Sequence, residues 1–500
     1  MKRFSLLLSI FCGVLLALAF NNGKLWIFAW FAFVPLFLTL ENKSLRQTFL
    51  LFFAAGITFW ASTVYWLINV TLVGTILLIL YLALYFAIFG LVIRHSTKNS
   101  KAHIILFAPA VWVLLEYIRS HFLTGFPWAL LGYSQYLNLP VIQIADFTGA
   151  WGVSFLVMLI NVAIVEIIWS LKTKLWLRFK VIIFSLILLL SLILAYGFSR
   201  LLSTKYLSGS QDSLKVSLIQ GNVPQELKWD PAVRDLIMQN YFELTSKAIE
   251  DKPDLIIWPE AALPVVLEEE PEYYIKLLQY FKTINKPLLF GSVTLRDDLY
   301  YNSALLISSD TRLLGQYDKL HLVPFGEYIP LRNVVGFLDT IAPIGDITRG
   351  KDYTIFKLPG NPIGFGVLIC FEDVFPELAR SFVRGGAGFL VNITNDAWFG
   401  KTPEAYQHLA ASVFRAVENR VYLARSANTG VSAFISPLGK IVSNLSDEKG
   451  NSIFISGFCT DSLRVLNNKP SFYNLYGDIL PLACFLFLLY IIIFKNHRRK

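Results

Sequence analysis

Residues 367–378 read VLICFEDVFPEL, and the rest of the chain can be read outward from them. Val367, Leu368 and Ile369 form a short apolar run of the kind that becomes a buried strand. The run stops at Cys370. Phe371, Glu372 and Asp373 follow, and Pro376 suits the first turn of a helix. A thiol at such a strand-to-helix corner stands clear of the sheet, close to backbone N–H groups that favour its thiolate. Taken alone, a cysteine in this position is more often a small buried hydrophobe than a nucleophile.

The strand belongs to a series. LKVSLIQGN from 214, DLIIWPE from 254, PLLFGSVTL from 287, YNSALLIS from 301, FLVNIT from 389, YLARSAN from 422 and VSAFIS from 431 also read as strands. DPAVRDLIMQNYFELTSKAIE (230–250), EYYIKLLQYFKTIN (272–285), ELARSFVRGG (377–386) and AYQHLAASVFRAVENR (405–420) carry apolar residues at helical spacing. Most strand runs are wholly apolar, as expected of sheets covered by helices. Residues 205–475 are therefore expected to form one α/β domain.

The remainder is not soluble in composition. The chain is 55% hydrophobic and 16% charged, and apolar runs near the length of a bilayer crossing recur. Seven spans are expected in residues 1–200, at about 4–20, 25–40, 48–69, 72–93, 104–118, 152–171 and 181–198, and an eighth at 479–494 before a basic tail, 495–500. Residues 205–478 hold 26 Lys and Arg against 31 Asp and Glu, so the net charge of +9 belongs to the membrane part. That balance argues against a nucleic-acid footprint on the folded domain. Loops after alternate spans carry Lys43 and Arg46, then Arg94, Lys98 and Lys101, then Lys172, Lys174, Arg178 and Lys180. Under the positive-inside rule both termini are cytoplasmic and the α/β domain lies outside the cytoplasm. The Met1-Lys2-Arg3 start does not read as a signal peptide, because no small-residue cleavage site follows. Residues 119–151 are aromatic-rich, either an interfacial connector or the wall of a lipid-entry cleft. Glu116 and Glu166 lie near span ends, where structural roles are expected. Cys12, Cys370, Cys459 and Cys484 give no disulfide framework and no metal-ligand spacing. The six histidines form no sequence cluster, and no cofactor or metal is expected.

Three polar residues end apolar stretches where a core would not place them: Glu260 after DLIIWP, Lys319 in YDKLHLVPFGE, and Cys370. A carboxylate can take a thiol's proton, and a lysine can lower the thiol pKa and stabilise an oxyanion. Spacing alone does not bring the three together.

The ordered motifs IIWPE (256–260), YDKLHLVPFGE (317–327) and ICFEDVFPE (369–377) resemble those of the carbon–nitrogen hydrolase (nitrilase) superfamily. That resemblance implies an αββα sandwich with Glu260, Lys319 and Cys370 as base, oxyanion-stabilising residue and nucleophile. Such a domain between seven spans and one more resembles the apolipoprotein N-acyltransferase family, and the likeness extends over essentially the whole chain. FPWALLGYSQ (126–135), IADFTGAWGVSFL (144–156) and WFGKTPEAYQHLAASVFRAVENR (398–420) add to it. Trp229 in QELKWD and Glu327 match family positions. The family often has Cys-Tyr-Glu at the nucleophile; Cys370-Phe371-Glu372 keeps the ring and drops the hydroxyl. Glu327 and Glu372 are expected to hold the lysine and shape the pocket. Residues 334–350 and the loop 396–404 are expected as mobile covers. Trp398 and Phe399 at the tip of that loop would contact lipid or serve as packing aromatics.

The implied reaction is ping-pong transfer of an acyl chain from a membrane phospholipid, through a Cys370 thioester, to the α-amine of a diacylglyceryl apolipoprotein. It would take place in the bacterial inner membrane with the catalytic domain in the periplasm. A membrane-tethered amidase or nitrilase using water shares the triad, and a transporter or scaffold is a third class.

Overall fold

The computed structural model describes residues 3–97, 104–203, 213–324, 326–328, 347–464 and 470–497. Within the expected basic loops and tail, Lys98, Lys101 and residues 498–500 lie outside these, as do residues 334–346 of the first expected cover. The chain divides into two compact units, Met1–Ser203 with Tyr476–Lys500, and Thr204–Leu475.

The first unit is helical. Among the described residues, five helices are long and apolar enough to cross a membrane: Arg3–Asn21, Leu72–Ser96, Ile104–His121, Ala150–Lys172 and Trp176–Leu201. The helices Leu45–Thr63 and Ile479–His497 accompany them. The run 25–40 is not a single helix. It splits into a 3-10 turn, Gly23–Trp30, and a short helix, Val34–Leu38, which Pro35 starts. The break leaves backbone groups that lipid cannot satisfy. Asn161 satisfies two of them: its amide donates to the Ala29 carbonyl at 2.8 Å, and its oxygen accepts Phe33 N–H at 2.9 Å. Trp112 fills the space beside the break, 4.9–5.1 Å from the rings of Phe33, Phe86 and Phe89.

Residues 122–149 are folded into the same unit through polar contacts to neighbouring helices. Arg119 donates to the carbonyls of Phe126 and Trp128, and Glu116 accepts Leu131 N–H at 2.6 Å. Glu166 pairs with Arg178. These acids hold irregular backbone and a neighbouring arginine, the structural role their position suggested.

The second unit is a sandwich of two six-stranded sheets. The strands are β1 Ser213–Gln220, β2 Leu255–Ile257, β3 Leu288–Arg296, β4 Leu299–Ile307, β5 Leu313–Asp318, β6 Phe356–Lys357, β7 Gly364–Ile369, β8 Ala387–Thr394, β9 Tyr422–Ala427, β10 Ala433–Ile435, β11 Ile441–Asn444 and β12 Gly457–Arg464. One sheet runs β12-β1-β2-β3-β4-β5 and the other β11-β10-β9-β8-β7-β6. In each, three central parallel strands are flanked by antiparallel ones. The parallel strands are covered on both faces, so Leu255, Ile256 and Ile257 are all buried and their sequence does not alternate.

Helices Arg234–Ala248 and Pro271–Ile284 cover the first sheet, where Trp258, Tyr241 and Phe281 form the core. The Trp258 indole N–H is satisfied by Thr245 at 3.0 Å. Burying one such side chain contributes roughly 1.5–3 kcal/mol. Helices Pro376–Arg384 and Glu404–Asn419 pack on the second sheet, and the two sheets are joined across their inner faces by polar side chains. Ser426 on β9 donates to the carbonyls of Ile219 and Ile257, and Asn428 exchanges two hydrogen bonds with Val223.

Candidate active site

The three polar residues marked in the sequence each follow a strand: Glu260 after β2, Lys319 after β5 and Cys370 after β7. The ends of strands in such folds are where ligand sites form. Glu260 sits on a sharp corner, since Ala261 next to it has φ 44°. Gly291 on β3 allows this corner to lie against the sheet. A Cβ there would stand 2.6 Å from Ala261 N and 2.7 Å from Glu260 Cα.

Lys319 is buried and reaches two carboxylates. Its Nζ lies 2.9 Å from Glu327 Oε1 and 3.6 Å from Glu260 Oε1. Burial would push the ammonium down, but Glu327 and Glu260 outweigh it and hold Lys319 protonated, well above the ordinary lysine range. Asn302 on β4 completes the arrangement. Its amide donates to both Glu260 Oε1 and Glu327 Oε1 at 2.8 Å, and its carbonyl accepts the Lys319 backbone N–H at 2.9 Å. Glu327 is held in turn by Val323 N–H at 2.7 Å. Asn302 was not marked in the sequence; the signal was an amide inside the apolar run of a strand.

Cys370 has φ 53°, a left-handed conformation that costs a non-glycine residue on the order of 1 kcal/mol. It starts the 3-10 turn Cys370–Val374, and Asn392 on β8 donates to its carbonyl at 3.1 Å. The expected thiolate is corrected here. Burial pushes the Cys370 thiol well up, the Glu260 charge adds to this, and Lys319 only partly offsets them. At rest the proton stays on sulfur, beside a carboxylate able to take it.

Glu372 does not hydrogen-bond the lysine's ammonium; it holds the lysine's loop. Its carboxylate accepts the Tyr317 hydroxyl, the N–H groups of Leu320 and His321, and Ile369 N–H at the end of β7. Burial pushes its pKa up to about 7 against these donors. Phe371 packs edge-on against Phe375 at 5.3 Å and lies 6.4 Å from the His321 ring.

A buried network lies behind the cysteine turn. Asp373 accepts from His408 Nε2 at 2.8 Å, from Arg425 at 3.1 Å and from Ser412. Asp396 accepts from His408 Nδ1 at 3.1 Å, Arg425 at 3.1 Å and Thr394 at 3.0 Å. Burial and Arg425 push His408 down, but the two aspartates outweigh them and raise it to about 10. Glu404 beside them is pushed well up by burial. Asp396, Glu404 and His408 therefore form a cluster that sequence spacing did not reveal, with ligand atoms within 4.8 Å of one another. Both nitrogens of His408 already face aspartates, and Arg425 neutralises the same carboxylates, which suits an ion-pair network better than a metal. Charged residues within buried helical and strand runs, His408 and Arg425, were the available signal.

Trp398 and Phe399 lie in the 3-10 turn Asp396–Phe399, and Trp398 is 39% exposed. The loop 396–404 is anchored at both ends by buried Asp396 and Glu404, so its expected mobility is not what the packing suggests. Of the other expected cover, Ile347, Thr348 and Gly350 donate backbone hydrogen bonds to Glu327, Tyr300 and Lys319. Trp229 is half-buried. The residue before it, Lys228, was missed: it is buried, and its Nζ donates to the Glu260 carbonyl at 3.0 Å.

Two facing sheets with a thiol, an ammonium and a carboxylate at their strand ends define a nitrilase-type enzyme domain, and residues 215–456 match the carbon-nitrogen hydrolase family model. Residues 12–163 match the model of the apolipoprotein N-acyltransferase N-terminal domain. A protein of Geobacter metallireducens named apolipoprotein N-acyltransferase is 40% identical, over 96% of this chain and 92% of its own. A Rickettsia prowazekii protein of the same name is 31% identical over 98% and 97%, and one of Vibrio vulnificus is 31% identical over 87% of both. The chain belongs to the apolipoprotein N-acyltransferase family: it is a membrane protein and an acyltransferase.

Proposed function

We propose that this chain transfers an acyl chain from a membrane phospholipid to the α-amine of an S-diacylglyceryl cysteine at the N-terminus of an apolipoprotein. Glu260 takes the Cys370 proton, and the sulfur attacks the acyl ester. Lys319 stabilises the oxyanion. The leaving lysophospholipid receives the proton, and a thioester remains on Cys370. The acceptor amine then attacks the thioester, Glu260 takes its proton, and the triacylated lipoprotein leaves. Glu327 fixes the lysine and Glu372 fixes its loop relative to the cysteine turn. Trp229, Trp398 and Phe399 contact the lipid substrates.

The observation that carries this reading is the charge state of the site. Lys319 is locked as a cation by Glu260 and Glu327, while the thiol beside Glu260 keeps its proton. A general base is then required, and Glu260 is placed to be one. A chain joining such a site to membrane helices suits substrates whose extraction into water would cost about 0.8 kcal/mol per methylene. The loop charges support an inner-membrane protein with both termini cytoplasmic and the enzyme domain in the periplasm.

The test is intact-mass analysis of the full chain incubated with phospholipid alone. An acyl adduct on Cys370, absent in Cys370→Ala and discharged by a diacylglyceryl peptide, is the expected result. Turnover without an adduct, or ammonia release from small amides without transfer, would refute it.

A further inference from the structure

We propose that Lys228 is a second cation of the reaction centre, donating hydrogen bonds to the acyl oxygen that becomes negative as the Cys370 sulfur attacks. This rests on the acyl-transfer reading above and adds a residue to it.

Lys228 is 3% exposed. Among the described residues its ammonium has one hydrogen-bond partner, the Glu260 carbonyl at 3.0 Å, and no ion pair. An ammonium carries three N–H donors. Buried lysines normally have a carboxylate partner, because an unpaired buried charge is costly. Lys319, a short distance away across Glu260, has two such partners. Lys228 instead keeps two donors without a protein acceptor, in a place where the charges of both Glu260 and Cys370 act on it. A buried, under-satisfied cation next to a nucleophile and its base is arranged for an anion that exists only during reaction. Lys319 cannot serve that anion alone, since its donors already point at Glu327 and Glu260.

The step balances without a proton from Lys228. The S–H bond breaks toward Glu260, the S–C bond forms, and the carbonyl electron pair moves onto oxygen. Collapse of that oxyanion breaks the ester C–O bond, and the departing alkoxide takes the proton from Glu260. Lys228 and Lys319 contribute only hydrogen bonds and charge.

The test measures the rate of Cys370 acyl-adduct formation by intact mass, with full-length enzyme in detergent, phospholipid donor and no acceptor. Lys228→Met should slow the adduct by about 100-fold or more, as loss of an oxyanion donor does, while Lys228→Arg stays within about tenfold of wild type. A pH profile supplies a readout that a packing role would not move. Burial holds the Lys228 ammonium down at about 8, against Glu260 and Cys370. The wild-type adduct rate should therefore decline above about pH 8, and Lys228→Arg should keep its rate there. Wild-type speed in Lys228→Met, or the same alkaline decline in Lys228→Arg, overturns the proposal and leaves the Cys370 reading standing. If Lys228→Met does not fold, the Arg profile decides alone. No adduct in wild type overturns both.

Discussion

The Tyr317 hydroxyl lies 2.9 Å from each oxygen of the buried Glu372 carboxylate, so the last turn of β5 before Lys319 is tied directly to the turn that carries Cys370. Glu372 is protonated more readily in the folded protein, with a pKa of about 7 against 4.5 when free. Between those values the folded state binds the proton more tightly than the unfolded state, so stability falls as pH rises through about 4.5 to 7 and levels off above. The effect is on the order of 3 kcal/mol at most. Glu372→Gln lacks the group. The thermal midpoint of wild type minus that of Glu372→Gln should decline from pH 4.5 to 7, and a flat or rising difference would exclude this account.

Gly291→Ala tests the close approach that places Glu260. The added Cβ meets backbone atoms at 2.6 and 2.7 Å, which cannot move as a side-chain end could. Acyl transfer should fall by about 100-fold, the scale of an ångström displacement of a reacting group. Stability should fall by about 1–3 kcal/mol, the usual cost of overpacking. Retained activity with a lowered thermal midpoint would separate the packing from the placement of Glu260.

The interior of the sandwich was legible in the sequence and its borders were not. The eight strands read from apolar runs, β1 to β4 and β7 to β10, are the interior strands of the two sheets, and the four not read, β5, β6, β11 and β12, are the four edges. Edge strands have fewer covered neighbours, so Leu313–Asp318 and Ile441–Asn444 alternate exposed and half-covered positions and carry no apolar signal. The same logic applies to the site. Glu260, Lys319 and Cys370 stand out because each interrupts an apolar run. Asn302, His408 and Arg425 contribute through partners far away in sequence, so no local pattern marks what they bind. The resting state of the thiol was also not legible, because it depends on how burial and two opposite charges balance in space.

The ion-pair network behind Cys370 gives a pH dependence of the opposite group type. His408 has its pKa raised from 6.5 to about 10 by Asp373 and Asp396. A base stabilised in its charged form contributes fully below about pH 6.5, and that stability is lost as pH rises through about 10. His408→Gln should therefore lose less stability than wild type between those values, measured by thermal unfolding in detergent. Arg425→Met removes the cation shared by the two aspartates and should cost about 3–5 kcal/mol, the price of leaving buried carboxylates underpaired. A change under about 1 kcal/mol would mean that water or the other cation already satisfies them.

The balance of charges at Cys370 leads to a prediction in which reactivity and activity part company. Burial is the largest cause of the raised thiol pKa, and the Glu260 carboxylate is the next. Glu260→Gln removes that negative charge while keeping the side chain's shape. The thiol pKa should then fall, and Cys370 should react faster with iodoacetamide at neutral pH, because the thiolate is the reacting species. Acyl transfer should fall at the same time, since the group that accepts the proton is gone. Lys319→Met removes the charge that lowers the thiol pKa and should slow alkylation as well as transfer. Peptide mass spectrometry distinguishes Cys370 from Cys12, Cys459 and Cys484, the other free cysteines. Slower alkylation of Cys370 in Glu260→Gln would mean that Glu260 already draws the proton at rest, and the resting thiolate would then have to be restored.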